Sequence, residues 1–206
     1  MMNIIRAKSK EAVSTIQDFI LNQKRGIAYC VHDEKSVFIT DPNSINQDAC
    51  VEHGYMVLDT KHNGGVVVVS EGDVSVIYFG FIGNDWMRRF ADYLIDRYKA
   101  KGLNATYEGN DVLIDGYKIS GLSARRYGRV QYSTIHIGIN TNLEHIKAIC
   151  KKPMEKVPKG LSEYGITTEE VEQMLHDYIE QENRIVEKER HIPDWKALEI
   201  ILGGEV

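Results

Sequence analysis

Of the residues in this chain, Lys118 has the local sequence that best suits a catalytic or ligand-binding role. It follows a strand-like run, Val112 to Ile114, and the dipeptide Asp115–Gly116, which favours a tight two-residue turn between antiparallel strands. Gly121 comes three residues later, where a missing side chain lets a ligand or another backbone approach closely. A lysine held beside such a turn can pair with a phosphate or a carboxylate as a compact point charge. A solvated hairpin lysine without a ligand is the alternative.

A glycine pair gives a second candidate site. The segment Lys61–Gly65 ends in Asn-Gly-Gly and leads into four consecutive valines, Val66 to Val69. Backbone N–H groups at paired glycines can point at a phosphate or carboxylate without interference from side chains, although many such pairs are only turns. The valine run predicts a central strand buried on both faces, and we expect Val74 to Phe79 to be its returning partner.

Arginines and one cysteine complete the set of candidates. Arg125, Arg126 and Arg129 are predicted to lie in a loop after the turn, where they could balance the charge of an anionic ligand. Cys150 ends a predicted short helix. The nearest histidine on that helix, His145, is five residues away, so activation by a paired base is not evident.

Composition limits the class of protein. With 206 residues, 43% of them hydrophobic, the chain can bury a sizeable core, and a net charge of -5 argues against a general nucleic-acid binder. Cys30, Cys50 and Cys150 show no Cys-x-x-Cys spacing, which argues against a disulfide framework or a structural zinc site.

His62 and His136 could contact a ligand, but we interpret them as ordinary surface or core histidines because no pair has metal-ligand spacing. No apolar run suits a membrane span or a signal peptide, so we expect a cytoplasmic protein.

The remaining elements are those of a protein that mixes helices with strands. The spacing of apolar residues predicts helices over Ser9–Gln23, over Asp85–Lys101, from Thr167 onward, and over Pro193–Leu202. Ile27–Val31 and Ser36–Thr40 have the pattern of a β-hairpin. Shorter segments are predicted as a helix over Gln47–His53, a strand over Tyr55–Asp59, a long strand over Arg129–Asn140 and a helix over Asn142–Cys150.

Three stretches of the chain resemble one protein family. Asp111–Gly121 resembles the D-G-x-K-I-S-G signature of lipoate-protein ligases. Val57–Phe79 is similar to that family's segment R-R-x-S-G-G-G-A-V-Y-H-D-x-G-N with the strand after it, and Ile137–Leu143 is similar to its L-L-L-N-x-D-L passage. The resemblance covers about residues 10 to 182.

The resemblance implies a fold and a division of the chain. The fold is α/β (α+β), with a mixed, largely antiparallel sheet flanked by helices, and it is shared with octanoyltransferases and biotin ligases. We expect the catalytic domain over residues 1–165. Residues 166–206 are expected to form a C-terminal helical segment that packs on this domain or extends from it.

The resemblance also implies a reaction. Ligases of this family combine ATP and lipoic acid into lipoyl-adenylate, which a lysine of an acceptor domain then attacks to give an amide. Lys118 would contact the acyl carbonyl and the phosphate oxygens, and Asp73, where the family has asparagine, would lie near the phosphate or its Mg²⁺. The other implied substrate-binding and nucleotide-binding residues are Lys61, Asn63, Gly64, Gly65 and Gly121. The implied partners are ATP with Mg²⁺, a small acyl acid such as lipoate, and a protein with a lipoyl-acceptor domain.

Departures from the family pattern bear on activity. The family's paired arginines correspond to Asp59 and Thr60, or to Thr60 and Lys61, and its His-Asp pair corresponds to Val69 and Ser70. Losing two cationic side chains weakens the binding of an anionic adenylate, and Lys61 compensates only in part. The accessory C-terminal domain of some members has no counterpart in this sequence, so we expect a separate accessory protein.

Three functions therefore stay open. The one we favour is a ligase for lipoate or a similar acyl acid. The second is a transferase that takes an octanoyl or lipoyl group from a carrier protein through a thioester on Cys150, close to where octanoyltransferases of this fold carry their nucleophile. The third is a module that has kept the fold, lost catalysis, and binds an acyl group or a carrier.

Overall fold

Strands and helices alternate along the structure, a computed structural model that describes residues 3–7, 26–59, 65–81, 85–127 and 130–190. The strands are β1 (Asn3–Ala7), β2 (Gly26–Val31), β3 (Ser36–Ile39), β4 (Met56–Asp59), β5 (Val67–Val69), β6 (Val74–Phe81), β7 (Ala105–Glu108), β8 (Asp111–Ile114), β9 (Tyr117–Tyr127) and β10 (Val130–Ile137). The helices are α1 (Gln47–Glu52), α2 (Trp86–Ala100), α3 (Leu143–Ile149) and α4 (Thr168–Arg190).

The described strands form two sheets. The larger has the order β1-β2-β6-β10-β9-β8-β7, and its neighbouring strands are antiparallel except for β1 and β2. The smaller has the order β4-β3-β5, with β3 parallel to β4 and antiparallel to β5. The predicted fold class, a mixed and largely antiparallel sheet flanked by helices, is confirmed.

Helices α2 and α4 share a hydrophobic core with one face of the large sheet. Trp86, at the start of α2, stacks on Tyr78 of β6 with 5.2 Å between ring centroids and meets Tyr178 of α4 at 5.3 Å. The buried side chains of α4 are those that its periodicity predicts: Val171, Met174, Leu175, Tyr178 and Ile179. Both helices therefore support the sheet from the side opposite the cavity described below.

The start of α4 is fixed by a reciprocal cap. Glu170 N–H donates to Thr167 Oγ1 at 3.3 Å, and Thr167 N–H donates to Glu170 Oε2 at 3.0 Å, so two otherwise unpaired donors are satisfied. The boundary expected at residue 165 stays a prediction. The predicted helices Ser9–Gln23 and Pro193–Leu202 lie outside the described residues. None of the described helices has the length and apolar character needed to cross a membrane.

The predicted hairpin of Ile27–Val31 with Ser36–Thr40 is wrong. Strand β2 pairs with β1 and β6 in the large sheet, whereas β3 pairs with β4 and β5 in the small one. The polar residues between them carry the chain from one sheet to the other. An apolar run specifies a strand, but it does not specify the partner when two sheets compete for it.

Three further expectations need correction. Strand β5 is not a central strand, because it lies at the edge of the small sheet beside β3, and Val69 is its one fully buried residue. Val74–Phe81 belongs to the large sheet and is not its returning partner. Arg125 and Arg126 lie in β9, not in a loop, and Arg129 lies outside the described residues.

Candidate functional site

A cavity of about 470 Å³ lies between β9 and β10 on one side and the edge strand of the small sheet on the other. Valines 66–68, helix α3 and the connector after α3 form the rest of its wall. The polar or small residues that line it include Gly65, Asp111, Lys118, Gly121, His136 and Cys150. Its volume is within the range of roughly 300–1,000 Å³ that is typical of small-molecule sites.

Backbone hydrogen bonds on both sides fix the position of Lys118. Asp115 and Gly116 have φ values of 53° and 81°, as the predicted two-residue turn requires. Directly after this turn, Lys118 N–H donates to the carbonyl of Val157 at 2.9 Å, and Lys159 N–H donates to the carbonyl of Lys118 at 3.0 Å. The lysine is thus anchored to the connector after α3 as well as to its own hairpin.

A β-bulge at Ile119 places Lys118 and Gly121 on the same face of the sheet. Residues three apart in a regular strand point to opposite faces. Here Lys118 and Ser120 pair with consecutive residues of β8, and Ile119 between them has no partner on that strand. Ile119 is only 3% exposed and belongs to the core on the helix side. The bulge therefore turns Lys118 and Gly121 together toward the cavity.

Asp111 holds the ammonium of Lys118. Lys118 Nζ lies 2.8 Å from Asp111 Oδ1, and Lys156 Nζ lies 3.3 Å from Asp111 Oδ2 and 3.4 Å from Glu108 Oε1. Desolvation lowers the pKa of Lys156, but its contacts with Asp111 and Glu108 outweigh this and raise the pKa. Two cations thus line one end of the cavity, where an anionic group can bind.

Gly121 lets this ion pair lie directly against the backbone of β9. A Cβ atom at residue 121 would lie 3.2 Å from both Cε and Nζ of Lys118 and 3.4 Å from Asp111 Oδ1. Any side chain here would press on the lysine. The close approach that the sequence predicts here is made by the side chains of Lys118 and Asp111, and the access of a ligand stays a prediction.

A row of small and polar residues crosses the cavity face of the large sheet. Cys30 pairs with Ser75, Ser75 with His136, His136 with Gly121, and Gly121 with Asp111, which spans five neighbouring strands. Directly opposed residues of antiparallel strands share a face. The side chains of His136 and Asp111 are therefore on either side of the open position at Gly121.

Asp73 is a buried carboxylate that supports His136. It is 1% exposed, its Oδ1 accepts from the N–H groups of Ile139 at 2.6 Å and Asn140 at 2.9 Å, and its Oδ2 accepts from Ser70 N–H at 2.8 Å. His136 Nε2 lies 3.5 Å from Oδ2. Burial raises the pKa of Asp73, but the hydrogen bonds from His136 and the backbone outweigh it and lower the pKa. The carboxylate is therefore ionised.

His32 and Ser75 extend this chain of contacts. Ser75 Oγ lies 3.2 Å from His136 Nδ1 and 2.8 Å from His32 Nε2, while Cys30 Sγ lies 3.7 Å from His32 Nδ1. Burial is the largest cause that lowers the pKa of His32 to about 3, and His136 lowers this pKa further when its imidazole is protonated. His32 is therefore neutral at physiological pH and can either donate to or accept from Ser75.

The structure brings some of the predicted site residues together and not others. Lys118, Gly65 and Gly121 line the same cavity. Asp73 is not among its lining residues and reaches it through His136. Lys61, Asn63 and Gly64, with His62, lie outside the described residues. The binding roles assigned to these residues stay predictions.

Cys150 also lines the cavity, but its surroundings do not activate it. Burial, together with the nearby Cys50, raises the pKa of its thiol. In the described part of the chain, no histidine lies within hydrogen-bond distance of Cys150 Sγ. A nucleophilic cysteine needs the thiolate, which both features disfavour.

Several residues of the site were not recognised as such from the sequence. Asp111 and Lys156 join Lys118 only because the bulge and the connector bring them together. His136 was interpreted as an ordinary histidine. The signal was a polar residue in the middle of a predicted strand, but only the register shows that it lies beside Gly121. Among the described residues, no cluster of three or more His, Cys, Asp or Glu side chains is arranged to hold a metal ion.

Sequence comparison identifies one family. The model of the lipoyl protein ligase A/B catalytic domain matches residues 37–185, which is most of the chain and includes every described cavity residue. A comparison with curated protein sequences found no match.

Three known structures are similar in fold. A candidate lipoate protein ligase of Thermoplasma acidophilum with bound lipoic acid is 16% identical, with a TM-score of 0.69, over 87% of this chain and 85% of its own. A lipoate-protein ligase A bound with ATP is 16% identical, with a TM-score of 0.71, over 87% and 84%. A bi-partite lipoate protein ligase of Thermoplasma acidophilum, described with its E2 lipoyl domain, is 18% identical, with a TM-score of 0.69, over 87% and 82%. At these identities the likeness shows the fold.

Proposed function

This chain belongs to the lipoyl protein ligase A/B catalytic domain family, and from that premise we propose that it is a lipoate-protein ligase. It uses ATP to activate lipoate, or a related acyl acid, and transfers the acyl group to a lysine of an acceptor domain. The observation that carries the proposal is Lys118, anchored on both sides by the backbone and turned into a small-molecule cavity beside the open position at Gly121.

Lys118 would serve the activation step through its charge. An oxygen of the acyl carboxylate attacks the α-phosphorus of ATP, the bond to the bridging oxygen breaks, and pyrophosphate leaves. Negative charge concentrates on the phosphate oxygens in the transition state, and a fixed ammonium stabilises it without reorganising. Lys118 supplies this ammonium, and it binds the carboxylate and the phosphate in one orientation.

The opposite wall of the cavity suits an acyl chain. Val66, Val67 and Val68 lie across from Lys118, and Ile146 and Met154 add further apolar surface. Burial of a methylene group contributes about 0.8 kcal/mol, so such a wall binds an aliphatic tail in proportion to its length. The edge position of β5 explains why these valines face a cavity instead of the centre of a sheet.

ATP would bind with Mg²⁺ on its phosphates. Mg²⁺ is usually held by one or two carboxylates together with substrate phosphates, so a preformed protein cage is not required. The ion neutralises phosphate charge. The similar ligase that binds ATP supports the choice of nucleotide.

Lys156 partly compensates for the positive charge of the arginine pair that this chain lacks. The family's arginine pair is replaced by Asp59 and Thr60, or by Thr60 and Lys61. Lys156 lines the same cavity as Lys118 and shares Asp111 with it, so it provides a second cation for the phosphate. The predicted loop residues Lys61, Asn63, Gly64 and Gly65 would complete the site, and Asp73 acts on it through His136.

A protein that carries a lipoyl-acceptor domain is the proposed partner. The bi-partite ligase described with its E2 lipoyl domain supports this choice, and it also supports a separate accessory protein. Transfer by way of Cys150 is the alternative. Its place in the cavity favours that function, but the raised thiol pKa argues against it.

The test is formation of an acyl-adenylate. Purified protein is incubated with MgATP and lipoic acid, octanoic acid or biotin, and pyrophosphate release is measured together with the adenylate by mass spectrometry. Adenylate from one acid, lost in Lys118→Ala and kept in Lys147→Ala, supports the proposal. Lys147 is a suitable control because it is exposed on α3 and pairs with Glu144. No adenylate with any acid would refute ligase activity and leave the transferase or a non-catalytic module.

A further inference from the structure

His136 faces the cavity at the position where the second half of the proposed reaction needs a base. It pairs directly with Gly121, while a Cβ at Gly121 would lie 3.2 Å from Lys118 Nζ. His136 and Lys118 therefore flank the same open position, and both line the cavity. An acyl carbonyl bound to Lys118 would therefore lie on the same face of the sheet as the imidazole, next to it across the strands.

The contacts of His136 fix which nitrogen carries its hydrogen. Asp73 is ionised and can only accept, so His136 Nε2, 3.5 Å from Asp73 Oδ2, carries the proton and donates it. His136 Nδ1 then has a free lone pair, which Ser75 Oγ contacts at 3.2 Å. The imidazole is thus held in the tautomer that can accept a proton at Nδ1, and the Asp73 carboxylate stabilises the resulting cation.

Ser75 does not block this nitrogen permanently. Its hydroxyl lies 2.8 Å from His32 Nε2, which is closer than its distance to His136. His32 is neutral and can accept that hydrogen, with its own Nδ1–H directed to Cys30 Sγ at 3.7 Å. The hydroxyl hydrogen of Ser75 can therefore be directed to His32, which leaves the lone pair of His136 Nδ1 unprotonated. The other charged groups that line the cavity are Lys118 and Lys156, which share Asp111, and Glu155.

We propose that His136 accepts the proton of the acceptor amine during acyl transfer. The proposal rests on the proposed ligase function and assigns a base to its second step. The lysine amine, uncharged after losing a first proton to water, forms a bond from its nitrogen to the acyl carbon. The bond from that carbon to the phosphate oxygen breaks, and AMP leaves with the electron pair. The second proton of the nitrogen goes to His136 Nδ1 and then to water. Lys118, as an ammonium paired with Asp111, has no lone pair for this task.

The experiment separates transfer from activation. Chemically prepared lipoyl-adenylate is bound to the full chain, and amide formation with Nα-acetyl-lysine amide is followed by mass spectrometry. His136→Gln keeps an amide at the same site but cannot take the proton. Because general base catalysis contributes about 10²–10⁴-fold, we expect this variant to lower the transfer rate by about 100-fold or more. Pyrophosphate release from MgATP and lipoic acid, measured on the same variant, should fall by a smaller factor than the transfer rate does.

Hydroxylamine distinguishes a base from a structural residue. It is an uncharged and strong nucleophile at neutral pH, so hydroxamate formation from the bound adenylate should survive in His136→Gln. His53→Gln is the matched control, because His53 lies at the end of α1 and stacks on His145 outside this network. Thermal unfolding of each variant verifies the fold.

The outcomes discriminate between the two proposals. Unchanged amide formation in His136→Gln, or an equal loss of amide, hydroxamate and pyrophosphate release, would overturn the role of His136. The same holds if the unaltered protein does not catalyse transfer from lipoyl-adenylate. Transfer that depends on His136 without any pyrophosphate release from ATP would overturn the activation step alone and leave the base in place.

Discussion

Asp111 and Lys118 form a short ion pair, 2.8 Å between Oδ1 and Nζ, at the end of the cavity where Lys156 contacts the second carboxylate oxygen at 3.3 Å. The side chain of Lys118 is 40% exposed, so this pair contributes no more than about 1 kcal/mol to stability. The ion pair matters because it orients the ammonium groups of the two lysines. One carboxylate keeps two ammonium groups at a defined distance from each other and from the backbone of Gly121.

Asp111→Asn tests this orienting role. Without the carboxylate, the two lysines repel each other and Lys118 loses its fixed position, so we expect the rate of adenylate formation at saturating substrate to fall roughly 10-fold to 100-fold. The free energy of unfolding should change by less than about 1 kcal/mol. Pyrophosphate release and urea unfolding measure the two effects. Glu144→Gln, which breaks the exposed pair with Lys147, serves as control, and an unchanged rate in Asp111→Asn would contradict the role.

His32 makes stability depend on pH. Its pKa falls from an ordinary 6.5 to about 3 on folding, so the unfolded chain binds more protons between these values. Stability therefore decreases on acidification through this window, by up to about 1.4 kcal/mol per pH unit. The lowered pKa of Asp73 adds a further loss at lower pH, as its stabilising carboxylate becomes protonated.

His32→Gln should flatten this dependence. Glutamine can still form a hydrogen bond with Ser75 but does not titrate. The slope of the free energy of unfolding against pH should therefore decrease between pH 6.5 and 3, by the amount that corresponds to about one bound proton. Urea unfolding across the window measures the slope. His53→Gln is expected to behave like the unaltered protein, and a slope that is the same in His32→Gln would show that His32 is not the group responsible.

Cys150→Ser should leave ligase activity in place. The raised pKa keeps the thiol protonated, so a catalytic thioester is not expected. We predict adenylate formation and amide transfer within about threefold of the unaltered protein, since a cysteine of this kind acts mainly as a small apolar side chain. Mass spectrometry of the protein after incubation with octanoyl-carrier provides the check. A covalent acyl adduct that disappears in Cys150→Ser would favour the transferase.

Leu175→Ala tests whether α4 and the sheet unfold together. Leu175 is fully buried in the core shared with β6 and α2, and such a truncation costs about 2–5 kcal/mol. We expect one cooperative transition at a lower urea midpoint. Gln173→Ala, an exposed change on the same helix, should have little effect. Two separate transitions would instead support an independent C-terminal segment beginning near residue 166.

Local signals in the sequence predicted local structure well. The Asp115–Gly116 turn, the apolar side of α4 and the cap at Thr167 depend on residues within a few positions of one another, and all three are present. Pairing between distant strands was not predictable in the same way. Ser36–Thr40 was assigned to the wrong partner because its apolar pattern fits either sheet.

The candidate site shows the same limit. Lys118 and Gly121 could be identified from the turn and the family signature. His136, Asp73 and Ser75 could not be recognised as one unit, because their contacts depend on the register between β6 and β10. A histidine within an alternating strand resembles any other half-buried polar residue until its neighbour across the sheet is known.

The bulge at Ile119 makes spacing as important as residue identity in this segment. Lys118 and Gly121 share a face only because one unpaired residue lies between the turn and the glycine. Deletion of Ile119 would remove the bulge and leave the lysine and the glycine two residues apart, which is the spacing that keeps two residues on one face of a regular strand. It would also remove a buried side chain from the core on the helix side. Insertion of one more residue would instead place the lysine and the glycine on opposite faces unless that residue also bulged out of the strand.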